Sequence, residues 1–268
     1  MNHIIRSFTL IVAAALAFGS ARASQPPAAA SCFILHDEQR DQTTRDPSAT
    51  CSTRVTPAST FKIPHALAAL DAGVVSGPEE VLRYDGSPQA FDVWGRDHDL
   101  RSAMRDSVLW FFQRIAERLG TERERAYLKA FDYGNQDASG PLTSFWLGSS
   151  LRISPDEQLT FLRRFFAGEL RVREDAARAV RAILVQPAGR IVNARGAHAM
   201  AAPWPAGTTV FAKTGAGPDN GRRVVWLVGR VTRGERAWIF VSNVVSDDDP
   251  MAAVNLVGRR LTELRVLQ

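Results

Sequence analysis

Three apolar segments near the C-terminal end constrain the fold of this chain most. Thr209-Val210-Phe211-Ala212, Arg223 to Val231 and Arg236 to Val245 alternate or run apolar, and Gly-rich links (Gly217 to Gly221, Arg233-Gly234) join them. Links that short predict neighbouring antiparallel strands, a meander. Val254, Val257, Leu261 and Leu264 then form one stripe of a terminal helix that would pack on the sheet. Near the other end, Cys32-Phe33-Ile34-Leu35-His36 and Gln42 to Arg45 read as two more strands around the polar run Asp37 to Asp41. Between about Val75 and Gly168 the pattern changes to helices and loops. Ser102 to Leu119 reads as helical, and Thr121 to Ala130 as a second helix with a charged outer face of Glu122, Arg123, Glu124 and Arg125. Ser154-Pro155-Asp156-Glu157 starts a helix with Ser as N-cap, Pro first and Glu third; it would bury Leu159, Leu162 and Phe166 and stop at Gly168. The predicted architecture is α/β: an antiparallel β-sheet flanked by N- and C-terminal helices, with an inserted all-α lobe. Residues 24–268 form one domain on this reading, its α/β lobe at about 24–64 and 185–268 and its helical lobe at about 65–184.

Residues 1–23 read as an export signal. Arg6 supplies the positive start, Phe8 to Phe18 a short apolar run and Ala21-Arg22-Ala23 a cleavage site. That run is too short to span a bilayer, so a periplasmic protein without a membrane anchor is predicted. Loss of Arg6 and Arg22 with the signal lowers the formal charge from +5 to +3. No basic cluster interleaved with aromatics marks a nucleic-acid surface. The two cysteines, Cys32 and Cys51, lie in the exported part, where an even count favours one disulfide; two buried free thiols are the alternative. Neither they nor His36, His65, His98 and His198 show metal or Ser-His-Asp spacing, so no metal is expected and the histidines read as incidental. Asp247-Asp248-Asp249 reads as the solvated start of the last helix.

The chemistry begins at Pro57-Ala58-Ser59-Thr60-Phe61-Lys62-Ile63-Pro64, the opening of a helix that runs to Asp71-Ala72-Gly73. Ser59 and Lys62 stand three apart and share a helix face. A serine hydroxyl needs a neighbour to take its proton, and an amine can do so once burial lowers its pKa. Of 33 basic residues only Lys62, Lys129 and Lys213 are lysine. Where nearly every cation is Arg, a retained Lys marks a position that needs an amine able to lose its proton. Lys213-Thr214-Gly215 ends a predicted strand, where Lys213 and Thr214 can meet a carboxylate and Gly215 lets a ligand lie close to the backbone. The N–H of Ala216 would pair with that of Ser59 as an oxyanion hole.

Ser-x-x-Lys on a helix and Lys-Thr-Gly on a late strand, in that order, resemble the penicilloyl serine transferases. No Ser is followed two residues later by Asn; Asp106-Ser107-Val108-Leu109-Trp110 stands in that place. With Tyr133-Gly134-Asn135, Phe145-Trp146-Leu147-Gly148 and Leu151-Arg152-Ile153-Ser154-Pro155, the ordered set from about Cys32 to Val245 is similar to class D, the oxacillinase-type β-lactamases. The resemblance implies a β-lactamase/transpeptidase-like fold and a small-molecule β-lactam substrate. Ser59 would be the nucleophile and Lys62 an N-carboxylated general base for acylation and deacylation. Ser107 would relay protons, Trp146 would donate its indole N–H to the carbamate, and Lys213, Thr214, Gly215, Ala216, Leu109 and Leu147 would bind substrate. No cofactor is implied beyond CO2 or bicarbonate for Lys62. A sensing or penicillin-binding domain that is acylated without turnover is the alternative. Tyr133 as a catalytic base is the weaker reading of Tyr133-Gly134-Asn135 beside a turn that shapes the Trp146 loop. Two positions depart from the family pattern: Leu109 replaces the usual Val, and Asn255 falls where an Arg is expected to bind the substrate carboxylate, with Arg259, Arg222 or Arg223 as substitutes.

Overall fold

A computed structural model of the protein describes residues 31–187, 189–200 and 204–266. The segment read as an export signal lies outside the described residues. Strands β1 (Cys32–Asp37) and β2 (Gln42–Asp46) are followed by a 3-10 turn at Ala58–Phe61 and helix α1 (Lys62–Asp71). Helices α2 (Leu100–Arg105), α3 (Leu109–Phe131), α4 (Pro155–Ala167) and α5 (Glu174–Ile183) come next. The chain then makes β3 (Val185–Gln186), a ribbon of β4 (Arg190–Asn193) and β5 (Gly196–Ala199), the meander β6 (Thr208–Asp219), β7 (Arg222–Arg233) and β8 (Arg236–Val245), and α6 (Ala252–Glu263).

The six-stranded sheet has the order β2-β1-β8-β7-β6-β3. Two-residue alternation along its strands separates two cores. Ile34, Val224, Trp226, Val228, Ile239 and Val241 face α1, α3, α4 and α5. Phe33, Leu35, Val225, Leu227 and Phe240 face Val254, Val257 and Leu261 of α6. The C-terminal helix thus covers one face as expected. The N-terminal helix of the expectation is not among the described residues, which begin just ahead of β1. Among those residues no helix is long and apolar enough to cross a membrane.

α1 is the central packing element. From Lys62 to Leu70 every residue is buried, so the helix is enclosed all round. The disulfide Cys32–Cys51, with Cα atoms 5.2 Å apart, ties β1 to the segment that leads into the 3-10 turn. Ser154 caps α4 as the sequence indicates, in a capping box with Glu157, and Gly168 closes it in the left-handed region. Phe165 is buried there and Phe166 half-buried.

The structure corrects three local expectations. Ser102 to Leu119 is not one helix: Asp106, Ser107 and Val108 interrupt it, with Ser107 at φ 57°. Gly217 is strand and not turn, since β6 runs to Asp219 and only Asn220-Gly221 turns. A Cβ on Gly217 would come 3.0 Å from that of Ala58, so its glycine serves close approach. Glu124, read on a charged outer face, is 1% exposed. α3 breaks at Gly120 (φ 74°), and the break rephases the following turns so that Glu124 points inward.

Candidate active site

Ser59 sits in the 3-10 turn rather than in α1 itself, and neighbouring loops fix that turn from both sides. The Ala58 N–H and the Thr56 hydroxyl both donate to Trp146 O (3.1 and 3.0 Å), while Gly148 N–H donates to Thr56 Oγ1 (2.8 Å). Thr56 N–H donates to Asp219 Oδ1 (3.1 Å), and Trp226 Nε1–H donates to Thr56 O (2.9 Å). Ala58 is held at φ 46°, strained backbone immediately before the nucleophile position. These bonds join the turn to the Trp146 loop and to β6 and β7.

Lys62 Nζ lies 2.9 Å from Ser59 Oγ and 5.2 Å from the ring centre of Phe112. The residue is 1% exposed. Burial draws its amine well below the ordinary lysine range, and the charge of Lys213 adds to the effect. Trp146 has no exposed surface, and its Nε1–H has no protein partner. A buried N–H without an acceptor is costly, so this one implies a group that the side chains of the chain do not supply.

A second serine–amine pair faces the first. Lys213 Nζ donates to Ser107 Oγ (2.9 Å) and to Thr214 O (3.0 Å). Burial lowers the Lys213 pKa to about 7, against the nearby Asp106 charge, which raises it. Asp106 is clasped by Arg105 (2.7 Å), and its carbonyl accepts from Trp94 Nε1–H (2.8 Å), which holds the turn that presents Ser107. Ala212 N–H donates to Leu184 O, on the β3 side. By strand alternation the N–H groups of Thr214 and Ala216 point to the same edge, where β3 has already ended.

A cleft of about 590 Å³ opens over Ser59, Ser107, Thr214, Gly215 and Ala216. Phe91 and Trp94 form one wall, and Arg195, Arg222 and Arg223 stand at the rim. The Arg195 guanidinium, on the β4–β5 turn, lies 5.2 Å over the Phe91 ring and spans the mouth. Arg222 is paired with Asp247 (2.6 Å). Lys62, Lys213 and Trp146 lie below the floor, each at most 3% exposed. Leu109 and Leu147, expected at the substrate, are half-buried against the core and are not among the residues that line the cleft. Gly215 lines the cleft and also lets the turn come close: a Cβ there would stand 3.0 Å from Thr60 Cγ2 and 3.2 Å from Pro57 O.

Asn255 and Arg259 do not reach the cleft. They line a separate groove with Met200 and Val254 on the α6 side of the sheet. α6 packs on β7 and β8 through Val254, Val257 and Leu261, and Asn255 and Arg259 are on its exposed side. Sequence reading missed Arg195 and Phe91, since only the folded ribbon brings them together. Tyr133 is fully buried; Gln158 Nε2–H donates to its oxygen (3.1 Å) and to Thr60 Oγ1 (2.7 Å). Burial pushes its phenol above the usual range, which disfavours a phenolate base. Asn135 binds Arg152 N–H and Ser150 O, the turn-shaping role. Among the described residues no cluster suits a metal ion.

A serine served by a dry amine, with a second serine–lysine pair opposite, is the arrangement of a lysine-dependent serine acyltransferase. The penicillin binding protein transpeptidase domain profile matches residues 25–261. Probable beta-lactamase YbxI of Bacillus subtilis (strain 168) is 38% identical over 225 residues, 84% of this chain and 77% of its own. Beta-lactamase OXA-48 of Klebsiella pneumoniae is 38% identical over 189 residues, 70% of this chain and 65% of its own. Among solved structures, class D beta-lactamase BAT-2 superposes with a TM-score of 0.78 at 34% identity, covering 90% of this chain and 93% of that one. The chain belongs to the penicillin-binding transpeptidase-domain family and, within it, to the class D β-lactamases.

Proposed function

We propose that the protein is a periplasmic β-lactam hydrolase that works through an acyl-enzyme on Ser59, with an N-carboxylated Lys62 as general base. The orphaned indole N–H of Trp146, whose ring packs on Phe61 and His65 either side of Lys62 in the chain, and the dry Lys62 amine together carry this reading. Burial draws the Lys62 amine well below its ordinary pKa and so favours the neutral form, the one that adds CO2. Lys62 Nζ and Trp146 Nε1–H fit that group as its attachment point and its donor. Carboxylated, the side chain supplies an oxygen base strong enough to serve both acylation and deacylation.

The remaining roles belong to the chain's own groups. Ser59 Oγ loses its proton toward Lys62 and attacks the lactam carbonyl; the C–N bond breaks and an ester forms. The N–H groups of Ser59 and Ala216 would receive the oxyanion, a role that the strand edge left open past β3 supports for the second. Ser107, in contact with Lys213, carries a proton to the departing nitrogen. Lys213 and Thr214 hold the substrate carboxylate, and Arg195 and Arg223 add positive charge at the rim. Water then hydrolyses the ester.

The test is a penicillin time course with and without bicarbonate after CO2 removal at mildly acidic pH. Steady turnover that falls on CO2 removal and returns with bicarbonate is expected. A single stoichiometric burst would instead point to a sensing or penicillin-binding domain. Turnover indifferent to bicarbonate would overturn the carbamate.

A further inference from the structure

His65 and Glu124 form a buried pair that the chemistry above leaves unused. His65 stands one turn after Lys62 on α1, and the break at Gly120 directs Glu124 of α3 toward it. Imidazole Nε2 and carboxylate Oε1 are 2.7 Å apart, with side-chain exposures of 0% and 2%. The approach is poorly aligned for a linear hydrogen bond, and His65 Nδ1 has no partner. Apolar side chains in the same volume would fill the core at less cost, so a buried pair of this kind calls for a role beyond stability.

The imidazole neighbours supply that role. Its centroid is 5.1 Å from Phe61, 5.8 Å from Phe112 and 5.4 Å from Trp146, the last edge to face. Phe112 is also the ring over which Lys62 Nζ lies, and Phe61 in turn touches Trp146 at 5.5 Å. The His65 ring thus touches Phe112, which lies against Lys62, as well as Phe61 and Trp146, and one carboxylate anchors it. We propose that His65, anchored by Glu124, is a positioning residue that sets the plane of Trp146 and hence the direction of its indole N–H toward Lys62. Neither residue touches substrate; both act through the indole. The part concerning bicarbonate rests on the carbamate reading, and the part concerning indole orientation does not.

The experiment uses the mature ¹⁵N-labelled chain and the variants Glu124→Leu, Glu124→Gln and His65→Asn, each checked for a cooperative thermal transition. The Trp146 indole N–H resonance is identified by its loss in Trp146→Phe. It is expected to shift or broaden in Glu124→Leu and His65→Asn and to return close to the parent position in Glu124→Gln. The bicarbonate concentration giving half of full activity is expected to rise about tenfold in Glu124→Leu, as when an outer partner of a bound group is removed. A Trp146 resonance unchanged in folded Glu124→Leu would overturn the proposal. Should that variant not fold, His65→Asn decides by the same resonance. A parent enzyme indifferent to bicarbonate would overturn the carbamate alone, and the indole resonance would still decide the pair.

Discussion

Lys62 and Lys213 are the residues whose chemistry the sequence made most legible. In a chain that uses arginine almost throughout, two of the three lysines are at most 3% exposed, and Lys129 is solvent-exposed. Guanidinium could not lose a proton at either buried position. Lys62→Ala is expected to slow acylation by about 10²- to 10⁴-fold, the usual worth of a positioned base, while the fold is kept. Stopped-flow acylation with a penicillin measures it, and a rate within threefold of the parent would refute the role. For Lys213 the sign follows from a pKa lowered to about 7 in the free enzyme. Below that pH the ammonium attracts the substrate carboxylate; above it the neutral amine does not. A pH profile of kcat/KM should therefore fall as pH rises through about 7 and beyond, and Lys213→Ala should lack that descending limb. Glu124 was illegible for the opposite reason. Within Glu122-Arg123-Glu124-Arg125 it looked solvent-facing, and only a backbone break at Gly120 reverses its phase. Arg195 was equally hidden, because its place depends on how a two-stranded ribbon folds back over the cleft.

At the scale of elements, the site depends on one strand lying close to one turn. β6 meets the Ala58–Phe61 turn where Gly215 and Gly217 remove two side chains. The sequence showed both glycines but not this contact: it offered room for a ligand at Gly215, which does line the cleft, and a turn at Gly217, which is strand. Strand, turn and helix propensities are local, whereas contact between two backbones is not. Gly215→Ala would place a methyl 3.0 Å from Thr60 Cγ2 and 3.2 Å from Pro57 O, tighter than ordinary van der Waals contact. It is expected to cost about 1–3 kcal/mol, the usual toll of overpacking, and to slow acylation by displacing Ser59. Urea denaturation and the acylation rate check the two parts separately; an unchanged rate would show that the turn is free to recede. Ser107 repeats the lesson. Helical periodicity ran through it, but the chain leaves the helix so that its hydroxyl faces Lys213.

Across the whole molecule, the sheet, the inserted helices and the terminal helix were readable from hydrophobic period alone, since each element must bury one face. The strand order was not, because β1 enters between β2 and β8 rather than at an edge. The even cysteine count pointed to the bond now seen between Cys32 and Cys51. Closing a loop of that sequence separation, 19 residues, stabilises by about 3 kcal/mol in the loop-entropy account. The double variant Cys32→Ala/Cys51→Ala should lose roughly that much in urea denaturation yet keep its kcat well below the transition. A loss of kcat at low temperature would mean that the bond shapes the cleft as well.

The place of β1 has a consequence for assembly. Its residues pair with β8, at the far end of the chain, along their whole length. An emerging polypeptide must therefore keep an apolar segment waiting until nearly everything else has been made. Contacts so distant in sequence are slow to form and leave sticky intermediates exposed. The cysteine pair, whose two halves appear early and close together, adds to the β2 pairing a covalent restraint on that segment while its other neighbour is still missing.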